Sequence, residues 1–515
     1  MALGAILDPS IDVASPPSTA DNEVLRAINP HFLIEEHPID EHHTIRAIVV
    51  GAGISGITAA ILLPTKVPNL DLVIYERNDD LFMKGGVWHT NLYPGVRCDV
   101  PAHAYQATFA PSTDWTEAYA TGPEIQSYWR GVAEKFDTDE GVITDEANFL
   151  ITATGHFSDP KLPQYPGIDK SEGHLRHTSN WDPKINPKGK RIVVIGNGDS
   201  IDHYARNKTR VAAPINGEDL ADFVAKNIED ARSDTEKYLS FRKALEGKLF
   251  SRFGGVFKDG PQNAAAEDYV KELMRARLGA NSELADEIIP EFPVGCRRLT
   301  PGPSYLEALT AENVNYITDR ILEFTETGIR TVDVQVTTSH SALSSPLSTR
   351  DLTFKRLRGL AENRDSQTPI WGCLPQRFQT SLQYSDQMPQ DQLTYVAKIL
   401  RKFATQGLRT TAPSTAATRD FRAGIKGGRI HGLWPGSAAH VDLVRKDPRW
   451  EDFEYTYQNP QGNRFGWLGN GWTKKDVAAA HGETCLELDL TPWLEKGALS
   501  GDVDLRSYHE KWWVS

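Results

Sequence analysis

The sequence predicts an α/β fold built on parallel sheets, and three observations carry that expectation. Arg46 leads into the continuous apolar run Ala47-Ile48-Val49-Val50, the pattern of a strand buried on both faces of a parallel sheet. That run passes directly into the glycine-rich turn Gly51-Ala52-Gly53-Ile54-Ser55-Gly56 and then a helical stretch over 57–63. A second unit of the same kind starts at 191–195 and runs into Gly196-Asn197-Gly198. Two such units suit a chain of 515 residues, since single cores seldom grow past about 250–300 residues.

The remaining elements follow in order. A second strand is expected over 71–76 and a third over 149–153, the latter ending in Thr154-Gly155. Residues 266–280 mix charges at helical spacing and read as a surface helix. Residues 313–319 read as a strand returning to the first unit, and 333–389 shows no strand or helix period. Residues 1–45 are rich in Pro, Ser and acid and read as an N-terminal arm, with one short helical stretch at 22–28.

Composition narrows the function classes. A net charge of −13 argues against nucleic acid or an anionic membrane as partner, though not against a nucleotide held locally by backbone amides. No run of about 18 apolar residues occurs, so no transmembrane helix is expected. The first 20 residues lack a basic segment ahead of an apolar core, so no secretory signal is expected either. Cys98, Cys296, Cys373 and Cys485 are far apart with no C-x-x-C pair, which suggests neither a zinc site nor a disulfide framework. A reduced, cytoplasmic protein is the plain expectation. Seven of the 12 tryptophans lie after residue 430, and that aromatic-rich portion reads as core, with a lining for a bulky apolar ligand as the alternative.

The first glycine turn has the context a dinucleotide needs. Gly51 permits the tight turn, Gly53 lets amides approach a pyrophosphate, and Gly56 lets the helix pack close on the strand. The helix N-terminus then offers unpaired N–H groups and a favourable dipole to the phosphates. Glu76 ends the second strand, 76 − 51 = 25 residues on, placed to accept from ribose hydroxyls. An acidic group there disfavours a 2′-phosphate, so the site suits FAD or NAD rather than NADP.

The next stretch, Gly85-Gly86-Val87-Trp88-His89-Thr90-Asn91-Leu92-Tyr93-Pro94-Gly95-Val96-Arg97-Cys98-Asp99, resembles a segment of the flavin-dependent monooxygenases, in particular the type I Baeyer–Villiger group. The resemblance implies that this segment runs beside the flavin of FAD. Val87, Trp88 and Thr90 would contact it, with His89, Arg97 and Cys98 in the same cofactor-binding stretch. Asp99 would sit near both flavin and nicotinamide in a catalytic role, and Tyr105 would take the family's flavin-contacting tyrosine position.

Two further segments resemble the same group. Gly173-His174-Leu175-Arg176-His177-Thr178-Ser179-Asn180-Trp181-Asp182 is similar to its linker fingerprint, with Ser171 where the family has Phe. Trp181-Asp182 favours Baeyer–Villiger chemistry over N- or S-oxygenation, where Tyr or Phe usually stands. Gly295-Cys296-Arg297-Arg298 resembles the family's basic turn. By that resemblance Arg298 is the catalytic arginine, paired with Asp99, and Arg297 contacts the NADPH 2′-phosphate. A permanently charged guanidinium suits the stabilisation of anionic oxygen during oxygen transfer. At the second glycine turn, Gly196 and Gly198 would approach NADPH, and Arg206 would clasp its 2′-phosphate.

The resemblance implies two Rossmann-like dinucleotide-binding domains, one for FAD and one for NADPH, the second truncated, with a C-terminal extension. The expected boundaries are an arm at 1–45, a first FAD-binding part with the linker at 46–185, an NADP-binding domain at 186–300, and a return to the FAD domain with the substrate side at 301–515. Four places are short against the family: the join between Phe136 and Val142, the missing helix after Gly198, the Ser/Thr-rich sequence near 340, and the stretch before Gly427-Gly428-Arg429-Ile430. A βαβ crossover ordinarily needs at least about 10–12 residues. The implied reaction oxidises a ketone to an ester or lactone with NADPH and O₂. The C-terminal patterns His431-Gly432-Leu433-Trp434-Pro435-Gly436-Ser437 and Arg449-Trp450-Glu451-Asp452-Phe453 resemble the fungal branch acting on bulky polyketide-type ketones. An N- or S-oxygenating monooxygenase and a non-catalytic FAD-binding remnant stay open as alternatives.

Overall fold

The computed structural model describes residues 35–77, 86–136, 147–155, 164–186, 188–195, 202–204, 208, 210–211, 214–215, 218–250, 260–279, 282–292, 294, 302, 304–332, 336–338, 341–344, 387–424, 437–459 and 463–481. Two parallel sheets organise them.

The first sheet has the order β2-β1-β3, with β1 (Ile45–Val50) between β2 (Leu70–Tyr75) and β3 (Phe149–Thr152), all parallel. Helix α1 (Ile54–Lys66) makes the crossover from β1 to β2. Ile45, Ala47, Ile48 and Val49 are all buried, as the unbroken apolar run required. One face closes against a helix from far along the chain, α9 (Gln387–Gln406): Leu393, Ala397, Leu400 and Phe403 join Ile45, Ala47, Val49 and Phe149 in one core. The Phe149 and Phe403 rings meet edge to face at 4.6 Å. The other side of α1 packs Ile57 and Ile61 against Trp115, Ile125 and Trp129, the last two on α3 (Gly122–Lys135).

The second sheet has five strands among the described residues, all parallel, in the order β4-β13-β5-β6-β9. These are β4 (His174–His177), β5 (Ile192–Ile195), β6 (Asp202–Tyr204), β9 (Asn315–Ile317) and β13 (Ser341–Ser344). The short link after Gly198 is real: β5 and β6 pair in register Val193↔Asp202 with only 196–201 between the strands. A small hairpin, β7 (Pro214–Ile215) and β8 (Glu218–Asp219), follows. An antiparallel trio, β10 (Ile321–Phe324), β11 (Gly328–Thr331) and β12 (Val336–Thr338), packs Ile321, Phe324 and Ile329 on Val193 of the second sheet.

Two expectations are corrected here. The strand expected at 313–319 does not return to the first unit. Asn315–Ile317 instead pairs β6 at the edge of the second sheet, with Tyr316 against the core of Val270, Met274 and Leu306. Nor is 333–389 free of elements: Val336–Thr338 pairs β11, and Ser341–Ser344 sits between β4 and β5. Strand pairing uses main-chain groups, so a Ser-rich tetrapeptide can fill a gap between two neighbouring strands without any side-chain period of its own.

The helices divide between the two sheets. Helices α4 (Leu220–Arg232) and α5 (Thr235–Phe250) form a hairpin whose core closes on Val100, Ala104 and Ala118 of the first unit. The expected surface helix at 266–280 is α6 (Pro261–Leu278), with Val270, Met274 and Leu278 buried against α7 (Ser282–Ile288) and α8 (Tyr305–Leu309). Toward the C-terminus lie α10 (Thr415–Gly424), α11 (Ala438–Lys446), α12 (Lys474–Ala480) and an antiparallel pair, β14 (Leu408–Pro413) and β15 (Phe453–Tyr457). The end of the N-terminal arm is tied to this region. Ile39 N–H donates to the Trp472 carbonyl at 2.8 Å, His43 N–H to Ala404 at 2.9 Å, and Lys474 N–H to the Asp40 carboxylate at 2.7 Å. The short helical stretch expected at 22–28 lies outside the described residues. Among those described, no helix is long and apolar enough to cross a membrane.

Candidate cofactor site

The site is built at the C-terminal edge of the first sheet, where a parallel α/β sheet opens toward ligands. Gly51 follows β1 with φ +108°, and its N–H donates to the Tyr75 carbonyl at 2.7 Å. A Cβ at Gly51 would lie 2.6 Å from the Ala153 carbonyl oxygen, and one at Gly56 would lie 2.0 Å from that of Gly51. Only glycine fits either place, so the tight turn and the close helix–strand packing expected of them are both present. Gly53 caps α1 with no side-chain hydrogen bond and no acidic residue in the first turn. The helix thus brings no capping side chain or carboxylate of its own to its first amides, which suits a pyrophosphate.

Glu76, just past β2, accepts from the Ala52 N–H at 2.8 Å through Oε2. The bond fixes one carboxylate oxygen beside the glycine turn. Glu76 is the residue the sequence predicts as the ribose acceptor.

The Gly-Gly-x-Trp segment meets the same turn. Gly86, at φ +79°, stands against Gly53: a Cβ on either would come within 3.0–3.2 Å of the other's Cα. From there α2 (Val87–Thr90) begins, steadied by Asn91, whose Nδ2 donates to the Val87 carbonyl at 2.9 Å. Trp88 Nε1 donates to the Tyr105 hydroxyl at 3.1 Å, and the rings meet edge to face at 5.8 Å. Val87, His89 and Thr90 are half-buried on this helix, with Thr90 Oγ1 donating to the Val87 carbonyl at 3.2 Å. The structure therefore brings Gly51, Gly53, Gly56, Glu76, Val87, Trp88, His89, Thr90 and Tyr105 to one side of the first sheet.

Three expected site residues are engaged differently. Arg97 Nη1 donates to Glu117 at 2.5 Å and lies 3.5 Å from the Tyr119 carbonyl. Cys98 is buried in the core, with Sγ 3.5 Å from the Ala120 carbonyl. Asp99 is exposed. Gly196, Gly198, Arg206, Arg297 and Arg298 lie outside the described residues.

The linker fingerprint has a defined shape. β4 forms an edge of the second sheet and ends in buried His177, whose Nδ1 accepts from the Ser179 N–H at 3.1 Å and stands 2.8 Å from Ser179 Oγ. That cap turns the chain so that Trp181 packs on Ile192 and Val194 of β5. Next to it, His174 Nε2 lies 3.5 Å from the Asp182 carboxylate.

Sequence reasoning missed several residues that shape this region. Arg210 is buried, stacks its guanidinium over Phe292 at 5.4 Å, donates to the Phe292 carbonyl and lies 3.8 Å from Glu267. It clamps the chain just ahead of Arg297 and Arg298. His103, Gln106 and Tyr238 form a buried polar cluster beside Tyr105. Burial, with Arg232 and Arg242 nearby, pushes the His103 pKa down to about 4, so the imidazole is neutral. Burial also raises the Tyr238 hydroxyl above its usual range. A lone His and Tyr 135 positions apart carry no motif that would have found them.

Comparison with known proteins agrees with this geometry. Residues 49–121 match the NAD(P)-binding Rossmann-like domain family, and residues 121–216 match the flavin-binding monooxygenase-like family. The FAD-binding monooxygenase tazF of Aspergillus terreus is 28% identical over 83% of this chain and 91% of its own length. Over most of its length the chain is similar to flavin-binding monooxygenases. It is a monooxygenase that works with FAD and NADPH. A Baeyer–Villiger monooxygenase of Streptomyces coelicolor is 25% identical to the monooxygenase over 84% of this chain and 96% of its own length. Its fold is that of the solved steroid monooxygenase bound to NADP, with a TM-score of 0.59 and 20% identity, covering 80% of this chain and 99% of that one.

Proposed function

We propose that the monooxygenase inserts one oxygen atom of O₂ beside the carbonyl of a bulky, polyketide-type ketone, with NADPH as reductant. The observation that carries this reading is the linker: the His177–Ser179 cap leads into Trp181, which packs on β5, and by resemblance the Trp181-Asp182 dipeptide favours ketone over heteroatom oxygenation. The Baeyer–Villiger name of a relative aligned over 84% of the chain supports it.

Each residue then has a role. The α1 N-terminus at Gly53 takes the FAD pyrophosphate, with Gly51 and Gly56 allowing the approach, and Glu76 accepts from the ribose. Val87, Trp88, His89, Thr90 and Tyr105 line the flavin, while Arg97 and Cys98 hold the segment in place through Glu117 and Ala120. Asp99 and Arg298 pair at the reacting centre, where Arg298 stabilises negative charge on oxygen. Gly196, Gly198, Arg206 and Arg297 hold NADPH at the second sheet. FAD, when bound, would carry two electrons from NADPH to O₂, so that one oxygen atom enters the substrate and the other leaves as water.

A matched panel of a bulky cyclic ketone, a thioether and a tertiary amine, offered to FAD-loaded protein with NADPH, tests the reading. The ketone should give an ester or lactone. Sulfoxide or N-oxide formation without any ester would replace this reading with heteroatom oxygenation.

A further inference from the structure

We propose that Tyr238, on α5, is a positioning residue for the Trp88–Tyr105 pair, and that the α4–α5 hairpin belongs with the first dinucleotide unit although the chain reaches it through the second. The proposal rests on Trp88 and Tyr105 lining the flavin as described above.

The hydroxyl of Tyr238 stands where three groups of the 102–115 segment converge. It donates to the Ser112 carbonyl, accepts from Gln106 Nε2 at 2.9 Å, and lies 2.8 Å from His103 Nδ1. With its one proton committed to Ser112, the hydroxyl can only accept from His103, so Nδ1 is the protonated nitrogen of that neutral ring. Gln106 is saturated as well. Its Oε1 accepts from the Ser112 N–H at 2.7 Å and Trp115 Nε1 at 3.2 Å, and its Nε2 also donates to the His103 carbonyl at 2.9 Å. With the Tyr238 hydroxyl and the Gln106 amide both committed, the buried network holds one arrangement, because each alternative strands a polar group.

Packing reinforces it. The His103 ring meets Tyr238 and Phe241 edge to face at 5.7 and 5.4 Å. Arg232, at the end of α4, donates to the Thr113 and Trp115 carbonyls at 3.0 and 3.2 Å. Further along α5, Arg242 and Glu246 pair at 3.0 Å within the buried face.

The consequence reaches the flavin side through rigid steps. His103 lies in a single 3₁₀ turn, Ala102–Ala104, closed by the Ala104 N–H to Pro101 at 2.9 Å and the Tyr105 N–H to Ala102 at 2.9 Å. Tyr105 leaves that turn and accepts the Trp88 indole N–H at 3.1 Å. Helix α5 thus sets the turn, the turn sets Tyr105, and Tyr105 sets Trp88.

Tyr238→Phe removes the hydroxyl and keeps the ring. Leu245→Val, in the same core, removes one methylene at a cost like that of one buried hydrogen bond and touches none of the network. By amide hydrogen exchange, Tyr238→Phe should speed exchange about three- to tenfold at Ala104, Tyr105 and Asn91. Leu245→Val should affect α4 and α5 only. His103→Asn, which keeps a donor at the Nδ1 place, should stay near wild type, whereas His103→Leu should copy Tyr238→Phe. In FAD-loaded protein the visible dichroism of the flavin should shift in Tyr238→Phe and not in Leu245→Val. Unchanged exchange at Tyr105 and Asn91 in Tyr238→Phe, or the same loosening in Leu245→Val, overturns the proposal. The expected exchange pattern in a protein that takes up no FAD upholds the positioning and sinks the flavin reading of the site.

Discussion

Gly53 and Gly86 stand so close that a Cβ on either would fall within 3.0–3.2 Å of the other's Cα. Through this contact the dinucleotide turn and the Gly-Gly-x-Trp segment become one surface, since nothing larger than hydrogen fits between the backbones. Gly86 also holds φ +79° and ψ −177°, a conformation that costs an L-residue roughly 1–3 kcal/mol. Gly86→Ala should therefore leave the protein folded and weaken FAD binding by about tenfold or more, as read by titrating apoprotein with FAD. Gly53→Asp should abolish flavin uptake by setting a carboxylate at the uncapped end of α1. Full flavin occupancy in a folded Gly53→Asp protein would move the site elsewhere.

Arg298→Ala should remove ketone oxygenation while leaving FAD bound. Loss of one such charge-stabilising donor typically lowers the rate about 10²–10³-fold. Steady-state turnover set beside flavin absorbance separates the two effects, and unchanged turnover would take Arg298 out of the chemistry.

Phe403→Ala should destabilise the first unit by about 3–5 kcal/mol, because the ring is fully buried against Phe149 and pins α9 to the sheet. Denaturant unfolding followed through flavin release measures it. A loss of stability without flavin release would mean that α9 is not needed for the FAD-binding unit.

His103 gives stability a pH dependence with a definite sign. Its pKa is about 4 in the fold and near 6.5 when unfolded, so the unfolded chain binds more protons between those values. Its contribution is complete above pH 6.5 and is lost as pH falls toward 4, on the order of 3 kcal/mol in all. His42 and His43, also held low mainly by burial, add the same sign. His103→Asn should flatten the slope of unfolding free energy between pH 6.5 and 4, and an unaltered slope would contradict the assignment.

The first unit was legible because each of its parts is enforced locally. A run buried on both faces must be apolar throughout, and Gly51 and Gly56 admit no other residue, so the sequence carries β1, its turn and α1 in one stretch. Trp88 and Tyr105 were readable through a dense motif. The second sheet was less legible, since Ser341–Ser344 and Asn315–Ile317 are recruited by main-chain pairing to neighbours far away in sequence. Arg210, Gln106 and Tyr238 were invisible for a related reason: their partners are carbonyls and hydroxyls brought near only by tertiary folding.

The central claim is that this chain, loaded with FAD, uses NADPH to place one atom of O₂ into a ketone. Turnover of a bulky cyclic ketone under ¹⁸O₂, with the product read by mass spectrometry, tests it most directly. The account predicts an ester or lactone carrying a single heavy oxygen in its ring or alkoxy position, formed in proportion to the NADPH consumed. NADPH oxidation that yields only hydrogen peroxide across the ketone panel, or an ester without the label, would contradict it.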